Sequence, residues 1–137
     1  MSKRLNVLNI GPFQVPSAPD FFSYTIENYN NMLNIVLTNP ICRTSRVKVK
    51  VVQSNVSVYP AISPETVVLF QDVILHKNES TMLSLEISPT TILRVRVEGK
   101  YVKKVEVSVI GGYGDPSTGE IFVADPNLLF RQPNFPD

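Results

Sequence analysis

The middle of this chain alternates apolar and polar side chains at every second position. Four segments follow the pattern, and their apolar positions are filled by Val, Leu and Ile. Successive side chains of a β-strand point to opposite faces, whereas a helix repeats its apolar positions every three or four residues. Each segment is therefore predicted to be a strand with one dry face and one wet face, as in antiparallel sheets. The segments are 46–52, 83–87, 93–98 and 104–109.

Composition supports a fold made of strands. The chain has 19 Val and 10 Ile but only 3 Ala, and β-branched side chains favour strands whereas Ala favours helices. Its 137 residues give room for one domain. We predict an all-β, antiparallel two-layer β-sandwich, either immunoglobulin-like or jelly-roll. Further strands are predicted at 21–27, 32–38, 55–59 and 66–75, the last with a bulge or break at Gln71-Asp72.

Proline divides the chain into three parts. Seven of the 11 prolines lie in the first 20 or the last 22 residues, and proline is excluded from central strands because it lacks an N–H. The parts are an N-terminal arm (1–20), a β-sandwich body (21–110) and a Gly-rich loop with a Pro-rich C-terminal extension (111–137). Both ends are apolar and need a surface to lie against. We predict extended arms that pack on their own sandwich or reach a neighbouring subunit.

Residues that carry catalysis or bind metals are scarce in this sequence. There is one His and one Cys, and His76 in a predicted turn and Cys42 in a distant loop do not indicate a nucleophile with its base. The segment Gly111–Gly119 lacks the Lys-Ser/Thr of a phosphate loop and the third Gly of a dinucleotide-binding loop. It is predicted to be a mobile loop followed by a turn. We therefore predict no enzymatic activity, no cofactor and no metal.

The formal net charge of +1 does not indicate a nucleic-acid partner, because such domains are strongly basic. Positive charge still concentrates on two predicted strands. These cations are Arg43, Arg46, Lys48 and Lys50 near one strand and Arg94 and Arg96 on the other. If the two strands were neighbours, the six cations would share one face. Such a face either is solvated and protects an edge against aggregation, or docks on an acidic protein surface.

The segment Val73-Ile74-Leu75, with a turn, Thr81–Ile87, Pro89 and Leu93–Val97, resembles the middle of immunoglobulin-like sandwich domains. The resemblance covers about 40 residues and implies a sandwich architecture. The Cys–Trp–Cys signature of antibody domains is absent, because the chain has one Cys and no Trp.

The whole chain looks like the head decoration, or auxiliary capsid, proteins of tailed phages. The resemblance depends on the strands in 46–52 and 81–109 and on the terminal segments 1–20 and 116–137. It implies a non-enzymatic structural protein that binds coat subunits through its arms, in many copies, and stabilises the shell. Its location would then be the capsid surface of a virion. The alternative is a carbohydrate- or cell-surface-binding sandwich module.

Partner contacts are predicted on the two arms, the basic strand and the Gly-rich loop. The predicted partner is a coat protein or another virion subunit, with no nucleic acid and no membrane. No apolar run approaches the ~20 residues that span a bilayer, and no secretory signal is visible, so outside a virion we expect a cytoplasmic protein. The predicted contact residues are Phe13, Val15, Arg46, Lys48, Lys50, Tyr113, Leu128, Leu129, Phe130 and Phe135.

Overall fold

The computed structural model describes residues 6–15, 30–88, 90–100, 102, 104–115 and 117–131, and within these the side chains of residues 6, 30 and 122–131 are left undescribed. This part of the chain contains eight strands. They are β1 (Asn6–Gln14), β2 (Asn30–Asn39), β3 (Ser45–Asn55), β4 (Thr66–Leu75), β5 (Glu79–Glu86), β6 (Thr91–Gly99), β7 (Glu106–Asp115) and β8 (Glu120–Arg131). No helix in the described residues has the length and apolar character needed to cross a bilayer.

The eight strands form two four-stranded sheets in which every pairing is antiparallel. Sheet A has the order β1-β6-β3-β4, and sheet B has the order β5-β2-β7-β8. Only β3–β4 and β7–β8 are hairpins between consecutive strands, and every other connection passes from one sheet to the other. Residues 76–78 connect β4 to β5, so the edge of sheet A formed by β4 lies beside the edge of sheet B formed by β5.

One apolar core lies between the two sheets, which is consistent with a β-sandwich. Sheet A contributes the alternate residues Val47, Val49 and Val51 of β3, each fully buried. Sheet B contributes Ile35 and its alternating neighbours on β2, together with inward residues of β7. The predicted all-β fold with two antiparallel sheets is therefore confirmed, because the dry faces predicted from alternation meet in a single cluster.

Parts of the predicted arms belong to the sheets, which corrects the limits 21–110 given for the body. Residues 6–14 pair with β6, and the strand is followed by Val15, whose N–H donates to the Thr91 carbonyl at 2.8 Å. Residues 120–131 pair with β7. The prolines misled the prediction because Pro12 lies at the β-bulge of an edge strand, where a missing N–H is tolerated. The predicted arm residues 1–5, 16–20 and 132–137 lie outside the described residues.

The first half of the Gly-rich segment is strand, not the predicted mobile loop. Gly111 to Asp115 complete β7, where they pair with both β2 and β8. At Gly114 a Cβ would lie 2.0 Å from the Glu120 carbonyl oxygen and 2.8 Å from Met32 Sδ. Glycine is therefore required there, because the backbone of the neighbouring strand β8 approaches so closely. The predicted turn does occur, at residues 117–119.

Three further details of the strand prediction were wrong, and one lies outside the described residues. Residues 56–59 are not strand, because β3 ends at Asn55. The sequence Glu98-Gly99-Lys100 predicts a hairpin from 93–97 to a strand at 101–109, but the chain crosses over there, since β6 and β7 belong to different sheets. The irregularity of β4 lies at Val68 and not at Gln71-Asp72. Its neighbours Val67 and Leu69 pair with Val52 and Val51 of β3, and Val68 is left without a partner in that register. The predicted strand 21–27 is not described.

We expect Ile35→Ala to lower the free energy of unfolding by ~2–5 kcal/mol, because Ile35 is fully buried and truncation leaves a cavity. The matched control is Ile62→Ala, which removes the same atoms from a side chain that is 81% exposed. The control should change stability by no more than ~0.5 kcal/mol. Urea unfolding of both variants measures the difference. Equal losses would contradict the position of the core.

Candidate docking surface

The outward face of sheet A gathers the cations that the sequence singled out. β3 and β6 are neighbours, with Lys50 opposite Arg96, Lys48 opposite Glu98 and Val52 opposite Arg94. Residues directly opposite each other in a sheet share one face, so the condition for a common face is met. We call this surface the basic face, and its cations are Arg46, Lys48, Lys50, Arg94 and Arg96. Arg43 lies before β3, in the exposed segment that precedes it.

The cations of the basic face differ in how they are compensated. Arg94 makes a two-point contact with Glu65, at 2.7 Å from Nη2 and 3.2 Å from Nε. Arg96 pairs with Glu98 at 3.2 Å. Lys50 has Arg96 directly opposite it, and like charges at opposed positions destabilise a sheet. An external carboxylate at Lys50 would remove that repulsion.

A shallow concavity of about 180 Å³ lies on this face. Its lining combines the stems of Lys48 and Lys50 with Arg96, Glu98 and the ring of Phe70. Phe70 stands on β4 directly opposite Lys50, and 56% of it is exposed. The concavity can therefore take a carboxylate at its cationic side and an apolar group against the ring.

The β3–β4 hairpin, residues 45–75, carries nearly all the large apolar side chains that the described part of the chain exposes. Of nine such residues, eight lie between positions 56 and 74, and the ninth is Met82 on β5. Val58, Tyr59 and Ile62 are each more than 80% exposed. The eight residues are Val56, Val58, Tyr59, Ile62, Val67, Val68, Phe70 and Ile74. An apolar surface concentrated on one hairpin is typical of a protein contact, because scattered single residues are the ordinary case.

The loop that joins β3 to β4 has its own hydrogen bonds. The hydroxyls of Ser57 and Ser63 bond to each other across its base. At the end of the loop the Ala61 N–H donates to the Val58 carbonyl at 2.9 Å, which closes a turn. We call Val58, Tyr59 and Ile62 the apolar tip. These bonds hold the tip in a defined loop, so its side chains are presented without a large entropic cost on binding.

The structure separates the predicted contact residues into three groups. Val15 and Tyr113 are buried and Phe13 packs against the core, so these three stabilise the domain itself. The β3 cations at 46, 48 and 50 lie together on the basic face. Residues 128–130 lie in β8, where their side chains are not described, and Phe135 lies outside the described residues.

Sequence reasoning missed the apolar tip and the ring of Phe70. The signal was a run without charged residues from Val51 to Pro64, flanked by Lys50 and Glu65. Alternation within residues 55–59 looked like a half-buried strand, whereas the structure leaves Val56, Val58 and Tyr59 in solvent.

The loops that carry Cys42 and His76 are joined by hydrogen bonds in the fold. Asn39, fully buried, donates from its side-chain amide to the carbonyls of Arg43 and Leu75, each at 2.8 Å, and so joins the two loops. Thr44 Oγ1 and His76 Nδ1 share a hydrogen bond of 3.0 Å. This arrangement positions the turn, and the Cys42 thiol is exposed beside it.

Asp115 organises the turn between β7 and β8. Its carboxylate accepts hydrogen bonds from the Ser117 hydroxyl at 2.6 Å and from the Ser117 N–H at 3.0 Å. These bonds stabilise the charged form and lower the pKa of Asp115 below its ordinary value of 3.8. The turn ends at Gly119, whose carbonyl accepts the Asn34 amide at 2.7 Å on the outer side of sheet B.

Within the described residues no group of three His, Cys, Asp or Glu side chains is placed to hold a metal ion. In comparisons with known proteins, no family model, curated sequence or solved structure matches the chain. The geometry of the basic face and of the β3–β4 hairpin therefore carries the functional argument.

We expect Ser117→Ala to raise the pKa of Asp115 toward 3.8, because the variant removes the hydroxyl that contributes most to the lowering. A carboxyl whose pKa is lowered by folding adds stability above its unfolded pKa and loses it as pH falls through the folded pKa. The variant should therefore be less stable than the parent near neutral pH and equally stable in strong acid. Carboxyl-carbon NMR titration and thermal unfolding at the two pH values measure both effects. An unchanged Asp115 pKa would contradict this role for Ser117.

Proposed function

We propose that this protein is a non-enzymatic structural subunit that docks on another protein within a large assembly. The observation that carries the proposal is the exposed apolar surface of residues 56–74. Burying one apolar side chain fully is worth ~1.5–3 kcal/mol, so leaving three side chains of the apolar tip in water gives up a substantial stabilisation. A partner that covers the hairpin would recover it.

The basic face specifies the charge of the partner. It lies on β3 and β6, and its five cations outnumber the three carboxylates that share it, Glu65, Asp72 and Glu98. Complementary charge increases the rate and the specificity of association more than it increases affinity. The partner surface is therefore proposed to be acidic, with apolar pockets for the tip.

The assembly is proposed to be the capsid of a tailed phage, with this protein as a decoration subunit on the outside of the shell. Support comes from the resemblance in the sequence and from the small, all-β domain with one concentrated contact surface. The proposed docking surface is the β3–β4 hairpin and not the predicted arms, because residues 6–15 and 120–131 are engaged in the sheets. Residues 132–137, including Phe135, stay a proposed C-terminal arm.

The sandwich is proposed to be of the immunoglobulin-like type. The pairing of β2 with β5 and of β3 with β6 supports this, since strands B–E and C–F are neighbours in immunoglobulin domains. The chain departs from that pattern at its ends, where β7 pairs with β2 and β1 pairs with β6.

Replacing the apolar tip with serine tests the docking hairpin. We expect Val58→Ser/Tyr59→Ser/Ile62→Ser to weaken binding to coat shells by at least ~100-fold, because three exposed anchors are removed. Co-sedimentation with shells purified without this protein measures the loss. Thermal stability should stay unchanged, and Met82→Ser, which alters an exposed apolar residue on β5, is the control. Undiminished binding of the triple variant would defeat the proposal.

Charge reversal tests the basic face. We expect Lys48→Glu/Lys50→Glu to weaken shell binding and to remove most of its salt dependence. The control Lys77→Glu/Lys104→Glu makes the same change in net charge at exposed positions away from this face. Co-sedimentation across a series of salt concentrations separates the two. If both pairs reduce binding equally, net charge and not the basic face controls docking. A truncated variant that ends at Arg131 keeps β8 whole. Weaker co-sedimentation of this variant with shells would support the proposed arm, and unchanged co-sedimentation would contradict it.

A further inference from the structure

The four edges of the two sheets are not equally protected against pairing with another strand. Natural proteins block open edges with proline, lysine, bulges or charged residues. The β1 edge carries Pro12 at a bulge, the β8 edge carries Pro126 and lies across an irregular register from β7, and the β5 edge begins and ends with Glu79 and Glu86. The β4 edge differs from all three.

The β4 edge has fewer of these protections, namely a bulge near its start and one charged residue. Its ten residues, Thr66–Leu75, include seven apolar residues, no proline, no lysine and a single charge at Asp72. The bulge at Val68 leaves Leu69–Leu75 as an unbroken run in register with β3. Among the described residues only β3 pairs with β4. Alternate residues of an edge strand direct their N–H and C=O groups away from the sheet, where another strand can bond to them.

The core is also incompletely covered beside this edge. Leu69 on β4, and Leu83 and Leu85 on the neighbouring β5 edge, are only partly buried although they pack against the core. Gln71 belongs to the inner row of β4, because its register partner is the inward-facing Val49. Its side chain is nevertheless exposed. A strand added to β4 would place its own inward side chains beside these residues and extend the dry interior.

We propose that β4 receives an extended, acidic segment of the partner protein by strand addition. This inference rests on the proposed docking function and names the form in which the partner binds. The added strand would run along Leu69–Leu75, with apolar side chains beside Leu69 and Val73 on the inner side. A carboxylate on the outer side would reach past Phe70 to Lys50 at the concavity.

Charge decides between an acidic partner and a second copy of this chain. Two copies paired through β4 would place two sets of Arg46, Lys48 and Lys50 on one continuous face, and like charges oppose that arrangement. An acidic strand instead relieves the repulsion between Lys50 and Arg96. A Glu on the added strand would lie two strand spacings of about 4.8 Å from Lys50, a distance that the two side chains together can span.

A peptide of defined pattern tests strand addition on the full chain. The probe is an end-blocked peptide of alternating Glu and Val, long enough to pair with Leu69–Leu75. Two control peptides replace Glu with Lys, or keep Glu and methylate every second amide nitrogen. We expect the probe to shift the ¹⁵N–¹H signals of residues 69–75 and to slow their amide exchange. Both controls should bind at least ~10-fold more weakly, since they lose the charge match or the strand hydrogen bonds.

A variant pair locates the site on the protein. Phe70→Thr should weaken binding of the Glu-Val peptide, and Met82→Thr on β5 should not, although both replace an exposed apolar side chain by a residue that suits a strand. Equal binding of the methylated peptide would overturn strand addition. Slow exchange, in the free protein, of the β4 amides that point away from β3 would overturn it as well, and so would a dimer paired through β4.

The two proposals fail in different ways. If Lys48→Glu/Lys50→Glu loses shell binding but the methylated peptide binds as well as the probe, docking on the basic face is supported and strand addition is wrong. If the Glu-Val peptide binds selectively at β4 but neither the apolar-tip variant nor Lys48→Glu/Lys50→Glu loses shell binding, β4 is a strand receptor and docking through the hairpin and the basic face is wrong.

Discussion

The register between β3 and β6 is the constraint on which both faces of sheet A depend. It sets Val49 opposite Val97 on the inner face and Lys50 opposite Arg96 on the outer face. A slip of one residue would turn the valines to water and the cations into the core. An unpaired charge in an apolar interior is far more costly than any single contact is worth, so the slipped register is not accessible. The hydrophobic core and the basic face are thus two results of one pairing.

Local patterns predicted the strands because their cause is local. Alternation in 46–52 and 93–98 requires a dry side and a wet side wherever the strand lies, so β3 and β6 could be identified from the residues alone. Alternation does not say which sheet a strand joins. Gly99 looked like the turn of a hairpin, yet the chain crosses there to the other sheet, because the pairing partners of β6 are β1 and β3. The edge strand β1 was missed for the opposite reason: Pro12 and Gly11 break the local pattern, and long-range pairing with β6 holds the strand.

The candidate site was half predictable for the same physical reason. The cations of β3 and β6 were visible in the sequence, and only their adjacency required the fold. The apolar tip was invisible, because Val56 and Val58 alternate with polar residues as they would in a buried strand. What separates them from Val47 and Val49 is that, within the described part of the chain, no second sheet covers the loop. Burial is a property of what lies opposite, and a single segment does not contain that information.

The cations on β3 explain how an open apolar edge at β4 could bind a partner strand without pairing with copies of itself. A long apolar edge without proline or lysine invites copies of the same chain to pair. Lys48 and Lys50 stand one strand inward, close enough to repel the same face of a second copy but not on the edge itself, where they would hinder a partner strand. In the proposed docking mode this protection would be selective, because like-charged copies would be opposed while an acidic strand would be attracted. The sparsely charged edge and the cationic neighbouring strand would then act together, since the edge supplies backbone hydrogen bonds and the cations select the strand that forms them.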